Sequence, residues 1–279
     1  MIDYIEPVYR PPSEADSLIL QATLGCSNNT CLFCYMYRGK PFRVKPWERL
    51  RAEIDEAAAA APGTRRVFLA DGDAFVLPTR LLARILDRLA AAFPKLQRVS
   101  AYASPPNLLR KSVPEMRSLA ARGLKILYYG VETGDPELLA KIRKNATPDE
   151  MAEGCLRAQE AGLKLSVTVI LGLAGKKGSL RHARETAKLA SRIQPRYLSA
   201  LTLMLGPYER AYRESMGPDF EYNDSIDDTA ELRELVSHLE TNGCIFRSNH
   251  ASNYLPLAGT LMGDKSRLLS EIDRALAEP

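Results

Sequence analysis

Apolar positions along this chain follow two alternating rhythms. Ser17–Leu24 (SLILQATL) is a compact apolar run and reads as a strand. After Pro46, residues Trp47, Leu50, Ile54, Ala57, Ala58 and Ala61 share one face of a helix, which Pro62-Gly63 stops. Val67–Ala70 is again a short buried strand, and Leu81, Leu82, Ile85, Leu86 and Leu89 mark a second helix. Later, RGLKILYYGVETG (Arg122–Gly134) and AGLKLSVTVILGLAG (Ala161–Gly175) repeat one plan: a helix end, Gly-Leu-Lys, an apolar strand and a Gly-containing loop. Gly123 and Gly162, which stand 39 residues apart, suit the left-handed position just past a helix. A helix around Leu180–Ile193 and an apolar strand Tyr197–Leu205 follow.

Six strand–helix steps between residues 17 and 205 predict an α/β fold: a partial (β/α)6, TIM-like barrel, short of the eight steps of a full one. Residues 1–16 are an N-terminal extension, 17–205 the core, and 206–279 an extension closing the barrel. In that last part Glu221–Asp228 (EYNDSIDD) reads as an acidic linker. A helix over Ala230–Asn242, a strand Cys244–Ser248 and a final helix capped by Asp264 complete the expectation.

Composition narrows the class. Of 279 residues 46% are apolar and 26% charged, as in an ordinary globular protein, and the net charge of +4 does not by itself call for nucleic acid or an anionic membrane. The N-terminal MIDYIEPVYRPPSEAD is acidic and proline-rich, unlike a signal peptide, and no run of about 18 apolar residues predicts a membrane span. Five cysteines, three of them within nine residues, are no secreted disulfide framework; a reducing, cytoplasmic setting is expected.

Those three, Cys26, Cys31 and Cys34 in CSNNTCLFC, follow a strand, at the carboxyl edge where parallel sheets place their sites. Thiolates select iron–sulfur clusters, zinc or copper(I). Three can hold three irons of a four-iron cluster and leave the fourth open; a zinc knuckle completed by a distant Cys or His is the alternative. Cys155, in a helical pattern, reads as core, and with Cys244 it is too little for a second cluster.

The loop resembles the cluster-binding loop of the radical S-adenosylmethionine (SAM) superfamily. It has two cysteines two residues apart and the aromatic Phe33 before the last, but four residues, Ser27–Thr30, where that family usually has three. FLADGDAF (Phe68–Phe75), with Asp71, Gly72 and Asp73, resembles the Gly-rich second-strand motif that meets the methionine amino group. YYGVETGD (Tyr128–Asp135) resembles the fourth-strand motif of the methylthiotransferase and oxygen-independent porphyrin oxidase branch, whose Glu, here Glu132, faces SAM. TVILGLAG (Thr168–Gly175), with Ile170, resembles the fifth-strand motif packed on adenine, and Leu205 ends the last strand. Tyr102 and Ser104, at the third strand's end, are candidates for ribose or substrate contact, while Arg110 and Lys111 read as solvated charges over a helix start.

The resemblance implies a [4Fe-4S] cluster on Cys26, Cys31 and Cys34. It further implies cleavage of SAM to methionine and a 5′-deoxyadenosyl radical that takes hydrogen from a small-molecule or peptide substrate, with flavodoxin or ferredoxin as electron donor. Without cysteines for a second cluster a methylthiotransferase is disfavoured. Two stretches stay open. YMYRGKPFRVKP mixes Arg38, Lys40, Arg43 and Lys45 with aromatics, which keeps an RNA-modifying enzyme as an alternative although nucleic acid is not expected. CIFRSNHASNYLPLAG (Cys244–Gly259) is either a polar pocket lining or a self-bonded loop. A non-catalytic iron–sulfur or zinc scaffold is the rival from another class.

Overall fold

The computed structural model describes Ile2 and Tyr4–Glu278; Met1 and Asp3 of the N-terminal extension, and the terminal Pro279, lie outside the described residues. The chain forms two compact units, each assembled from separated segments.

The first unit takes in Met1–Asn29, Met36–Tyr129 and Gly154–Leu165. It carries β1 (Leu18–Gln21), a small antiparallel pair β2 (Thr23–Leu24) and β3 (Arg43–Val44), α1 (Trp47–Ala60), β4 (Arg66–Ala70), α2 (Thr79–Ala92), β5 (Arg98–Ala103), α3 (Pro105–Leu109), α4 (Val113–Ala121) and most of β6 (Leu124–Glu132). β1, β4, β5 and β6 pair in parallel, and their register aligns Leu20, Leu69, Ala101 and Leu127 in one buried row. Parallel neighbours need a crossover. α2 supplies one by burying the full stripe Leu82, Ile85, Leu86 and Leu89.

The second unit takes in Thr30–Tyr35, Gly130–Glu153 and Ser166–Pro279. It holds the end of β6, α5 (Pro136–Lys141), the start of α6 (Pro148–Glu160), most of β7 (Lys164–Leu171), α7 (Gly175–Ile193), β8 (Tyr197–Thr202), α8 (Glu209–Met216), α9 (Ser225–His238), β9 (Ile245–Arg247), β10 (Ala258–Thr260) and α10 (Lys265–Ala277). β7, β8 and β9 pair in parallel and β10 turns back antiparallel. The eight strands run in one mostly parallel, open sheet in the order β1-β4-β5-β6-β7-β8-β9-β10.

The six expected strands are β1 and β4–β8, and Gly123 and Gly162 do take positive φ, +102° and +87°. The tail departs from expectation. Asp224 caps α9 by accepting from the Ile226 and Asp227 amides, and Asp227 reaches back to the Asp224 amide. That capping box converts half of the acidic linker into the first turn of the helix, which starts at Ser225 rather than Ala230. Asp264 does stand at the start of α10, but its carboxylate accepts from the Thr260 amide at 2.7 Å, before the helix, instead of from the helix's own first turn.

Candidate functional site

In the first unit β4 leads into Asp71, Gly72 and Asp73, and each has a distinct job. Asp71 is fully buried, and its oxygens accept from the Gly25 amide (3.0 Å), Gln21 Nε2 (3.1 Å) and Lys40 Nζ (2.7 Å). Lys40 also donates to the Pro7 carbonyl at 2.9 Å. Asp73, equally buried, accepts from the Ser104 amide (3.1 Å), Ser104 Oγ (2.7 Å), Ser27 Oγ and Asn107 Nδ2. Burial pushes its carboxyl pKa up, and these donors oppose the shift. Both carboxylates brace the loop segment that carries Cys26: Asp71 holds Gly25 and Asp73 holds Ser27. Gly72 lies directly against that segment. A Cβ there would stand 2.9 Å from Cys26 Cβ and 2.8 Å from the Tyr37 ring, so only glycine permits the approach. Tyr102 packs edge-on against Phe68, with ring centroids 4.9 Å apart.

The second unit holds Cys31, Phe33 and Cys34. Cys31, Leu32 and Phe33 are buried in an apolar cluster with Leu173, Leu205 and Tyr212, against which Ile170 packs. Three candidates from distant segments, Phe33, Ile170 and Leu205, thus meet in one cluster. The Leu32 amide donates to the Ile142 carbonyl at 3.0 Å, which ties the cysteine segment to the end of α5. Just beyond, Lys144 turns inward. Its Nζ lies 2.7 Å from Glu132 Oε1 and 5.5 Å from the Phe33 ring centre. Burial works against the Lys144 ammonium, but Glu132, Cys31 and Cys34 outweigh it and hold its pKa above the ordinary value. Burial raises the Cys31 thiol pKa, and Lys144 works in the opposite direction. Glu132 itself is buried and has φ of +65°, an uncommon conformation for a side-chain-bearing residue. Gly130 makes room for it: a Cβ there would collide with Glu132 Oε1. Behind the strand ends, His182 bonds the Ile170 carbonyl through Nε2 (2.9 Å) and Thr133 Oγ1 through Nδ1 (2.8 Å).

A model of the family described as the radical SAM superfamily matches residues 20–209, about two thirds of the chain. This chain belongs to the radical SAM superfamily. It is 23% identical over 189 residues to the heme chaperone HemW of Bacillus subtilis (strain 168), covering 67% of this chain and 49% of HemW. The chain thus spans about half the length of that curated relative. Among solved structures it is similar to the radical SAM methyltransferase TsrM of Kitasatospora setae, solved with cobalamin and a [4Fe-4S] cluster (TM-score 0.62, 16% identity, 94% of this chain and 61% of that one). It is also similar to the coproporphyrinogen III oxidase HemN of Escherichia coli (0.59, 15%, 79% and 51%) and to methylornithine synthase, PylB (0.55, 15%, 93% and 81%). At such identities the likeness establishes the fold. The cofactors of a radical SAM protein are a [4Fe-4S] cluster and SAM.

The residues fit these cofactors in kind. The loop offers three soft thiols, and the segment holding Cys31 and Cys34 adds an apolar wall and a buried cation. Among the described residues no three His, Cys, Asp or Glu side chains converge on one ion position.

Ser104 donates its hydroxyl and its amide to Asp73. One expectation for the charged residues needs correction. Lys111 is buried, not solvated: its Nζ donates to the Leu77 carbonyl at 2.8 Å, lies 4.9 Å from the Phe75 ring centre, and has its pKa lowered by burial. Arg110 is exposed, as expected. The basic stretch after the loop spends half of its charge internally, with Lys40 on Asp71 and Lys45 on Glu53 at 2.8 Å. In Cys244–Gly259 the polar residues bond largely to their own surroundings. Ser252 and Asn253 accept from the Thr202 amide, and Asn253 Nδ2 donates to the Ala200 carbonyl at 2.8 Å. No described helix is long and apolar enough to cross a membrane.

Lys144, Ser27 and Asn107 were not singled out by sequence. In KIRKNA, Lys141 and Arg143 are exposed while Lys144 is buried, and nothing in the pattern marks which charge turns inward.

Proposed function

We propose that this protein is a radical SAM enzyme acting on a small-molecule or peptide substrate. The observation that carries the reading is the family match over the segment containing the three-thiol loop and the three strand-end motifs. When bound, the cluster supplies one-electron reductive cleavage of the SAM sulfonium, and with it the means to abstract hydrogen from a substrate. The chain's own residues do the rest.

Cys26, Cys31 and Cys34 hold the cluster. Asp71 and Asp73 keep the first cysteine's segment fixed, so the loop is organised before any cofactor arrives. Phe33, Ile170 and Leu205 give the adenosyl group an apolar seat and exclude water. Gly72 presents backbone where a side chain would block approach. Glu132 and Lys144 are complementary to the ammonium and carboxylate of a methionyl group, which would exchange partners with the pair. A small reducing protein such as flavodoxin or ferredoxin delivers the electron.

The likeness to HemW supports a second reading, a heme-handling chaperone. One experiment separates the two. Anaerobically reconstituted protein with SAM and dithionite should yield methionine and 5′-deoxyadenosine. No 5′-deoxyadenosine, together with stoichiometric heme binding, would favour the chaperone.

A further inference from the structure

A cavity of about 320 Å³ opens within the second unit, beyond the ends of β7 and β8. Its lining combines Asp228, Asn223 and Glu209 with the apolar or aromatic Leu203, Tyr222 and Tyr254. No Lys, Arg or His lines it. Asp228 is 96% buried on the first turns of α9, yet its Oδ1 accepts no hydrogen bond, and neither does the buried Oδ1 of Asn223. The Asn223 amide nitrogen donates to Glu231 Oε2 at 3.1 Å. Asp228 Oδ1 rests against Gly172, where a Cβ would lie 3.1 Å from it.

A buried carboxylate oxygen with no donor is costly, and native proteins seldom leave one so unless something else supplies the donor. Here two residues with unpaired buried acceptors line a cavity whose only charged lining groups are acidic. Two tyrosine rings at the wall add faces that attract cations. The volume lies at the low end for ligand sites, suiting a side chain or a small amine. Leu205 also lines the cavity, and it packs in the same cluster as Cys31, Leu32 and Phe33. The cavity therefore shares a wall with the cysteine loop.

We infer that this cavity binds the cationic nitrogen group, an alkylammonium or guanidinium, of the substrate, with Asp228 and Asn223 as its acceptors. Calling that ligand the substrate rests on the enzyme reading above; the binding chemistry rests on the cavity alone. Asp228 is then retained for binding at a cost to the empty fold.

The test uses anaerobically reconstituted protein and four probes: butylguanidine, its neutral isostere butylurea, butylamine, and N-acetyl-lysine methylamide. Binding is followed by ligand-observed NMR titration. The cations should bind and butylurea should not. Preference for butylamine or for the blocked lysine tells a free amine from a peptide-borne one. Asp228→Asn should weaken cation binding by about tenfold or more while raising Tm and leaving SAM affinity unchanged. If Asp228→Asn does not accumulate as folded protein, Tyr254→Ala, on an exposed rim residue, should weaken the same cations several-fold. Equal binding of butylurea, or unaltered cation affinity in the variant, overturns the inference. A lower Tm in Asp228→Asn makes Asp228 a structural acceptor and also overturns it. Weakened SAM binding there assigns the cavity to the cofactor, with the same result. Failure of the parent to cleave SAM is a separate outcome: it refutes the enzyme reading, and cation binding still decides the site.

Discussion

Asp73 in the first unit and Asp228 in the second are both buried carboxylates near strand ends, and their surroundings differ sharply. Asp73 is met by donors from Ser27, Ser104 and Asn107, and Asp71 beside it by Gly25, Gln21 and Lys40. Asp228 leaves one oxygen without any donor. A satisfied buried charge fixes geometry, whereas an unsatisfied one waits for a partner from outside. Glu132 stands between these cases: it has one strong partner, Lys144, on a strained backbone beside the cysteine segment. Within the first unit the buried carboxylates are thus braced, while within the second, one of them is left open.

The largest effect should come from the thiols. Replacing Cys26, Cys31 or Cys34 by Ala should abolish both cluster incorporation and SAM cleavage, measured as iron content and 5′-deoxyadenosine. A variant that keeps full iron would remove that thiol from the ligand set, whichever unit holds it.

Next is the support itself. Asp71→Ala leaves the Lys40 ammonium buried without its carboxylate, which should cost roughly 3–5 kcal/mol in denaturant unfolding. A loss under about 1 kcal/mol would mean that water reaches Lys40 and that the first unit is less rigid than its bonding implies.

Glu132→Gln should weaken SAM binding about tenfold to a hundredfold, the equivalent of about 1.5–3 kcal/mol for a charge-assisted bond. It should also lower stability, because Lys144 loses its partner. Glu137→Gln is the control: its carboxylate is exposed and pairs with Arg181 at 3.0 Å, so neither quantity should move. Equal SAM affinity in both variants would make the Glu132–Lys144 pair purely structural and move it to the side of Asp73.

The smallest effect is a pH dependence. Burial, with Glu231, Asp227 and Asp224 nearby and only the Asn223 amide opposing, pushes Asp228 from 3.8 up to about 6. Between those values the folded chain holds a proton that the unfolded chain has lost, so this group's contribution to stability falls as pH rises through the window. Asp228→Asn should therefore gain more over the parent at pH 7 than at pH 4, by about 2–4 °C in Tm for each kcal/mol of that difference. A constant difference would show that Asp228 is solvated in both states.

Much of this molecule was determined by its sequence. Leu82, Ile85, Leu86 and Leu89 can be buried together only on a helix, and SLILQ only in a strand, so alternation alone gave the parallel α/β fold. The three-thiol loop and the strand-end glycines marked the site because their chemistry and backbone freedom have few other uses. The start of α9 is in principle readable too, since Asp224 and Asp227 form a local capping box inside a stretch whose composition reads as a linker. What only the tertiary structure decided is how each charge is used. Lys40, Lys111 and Lys144 look like Arg43, Arg110 and Arg143 in sequence, yet the first three are buried and the last three exposed. Asp73 and Asp228 are likewise indistinguishable along the chain. Whether a charged side chain is braced, paired or left open depends on groups dozens of residues away, which only packing brings within hydrogen-bond reach.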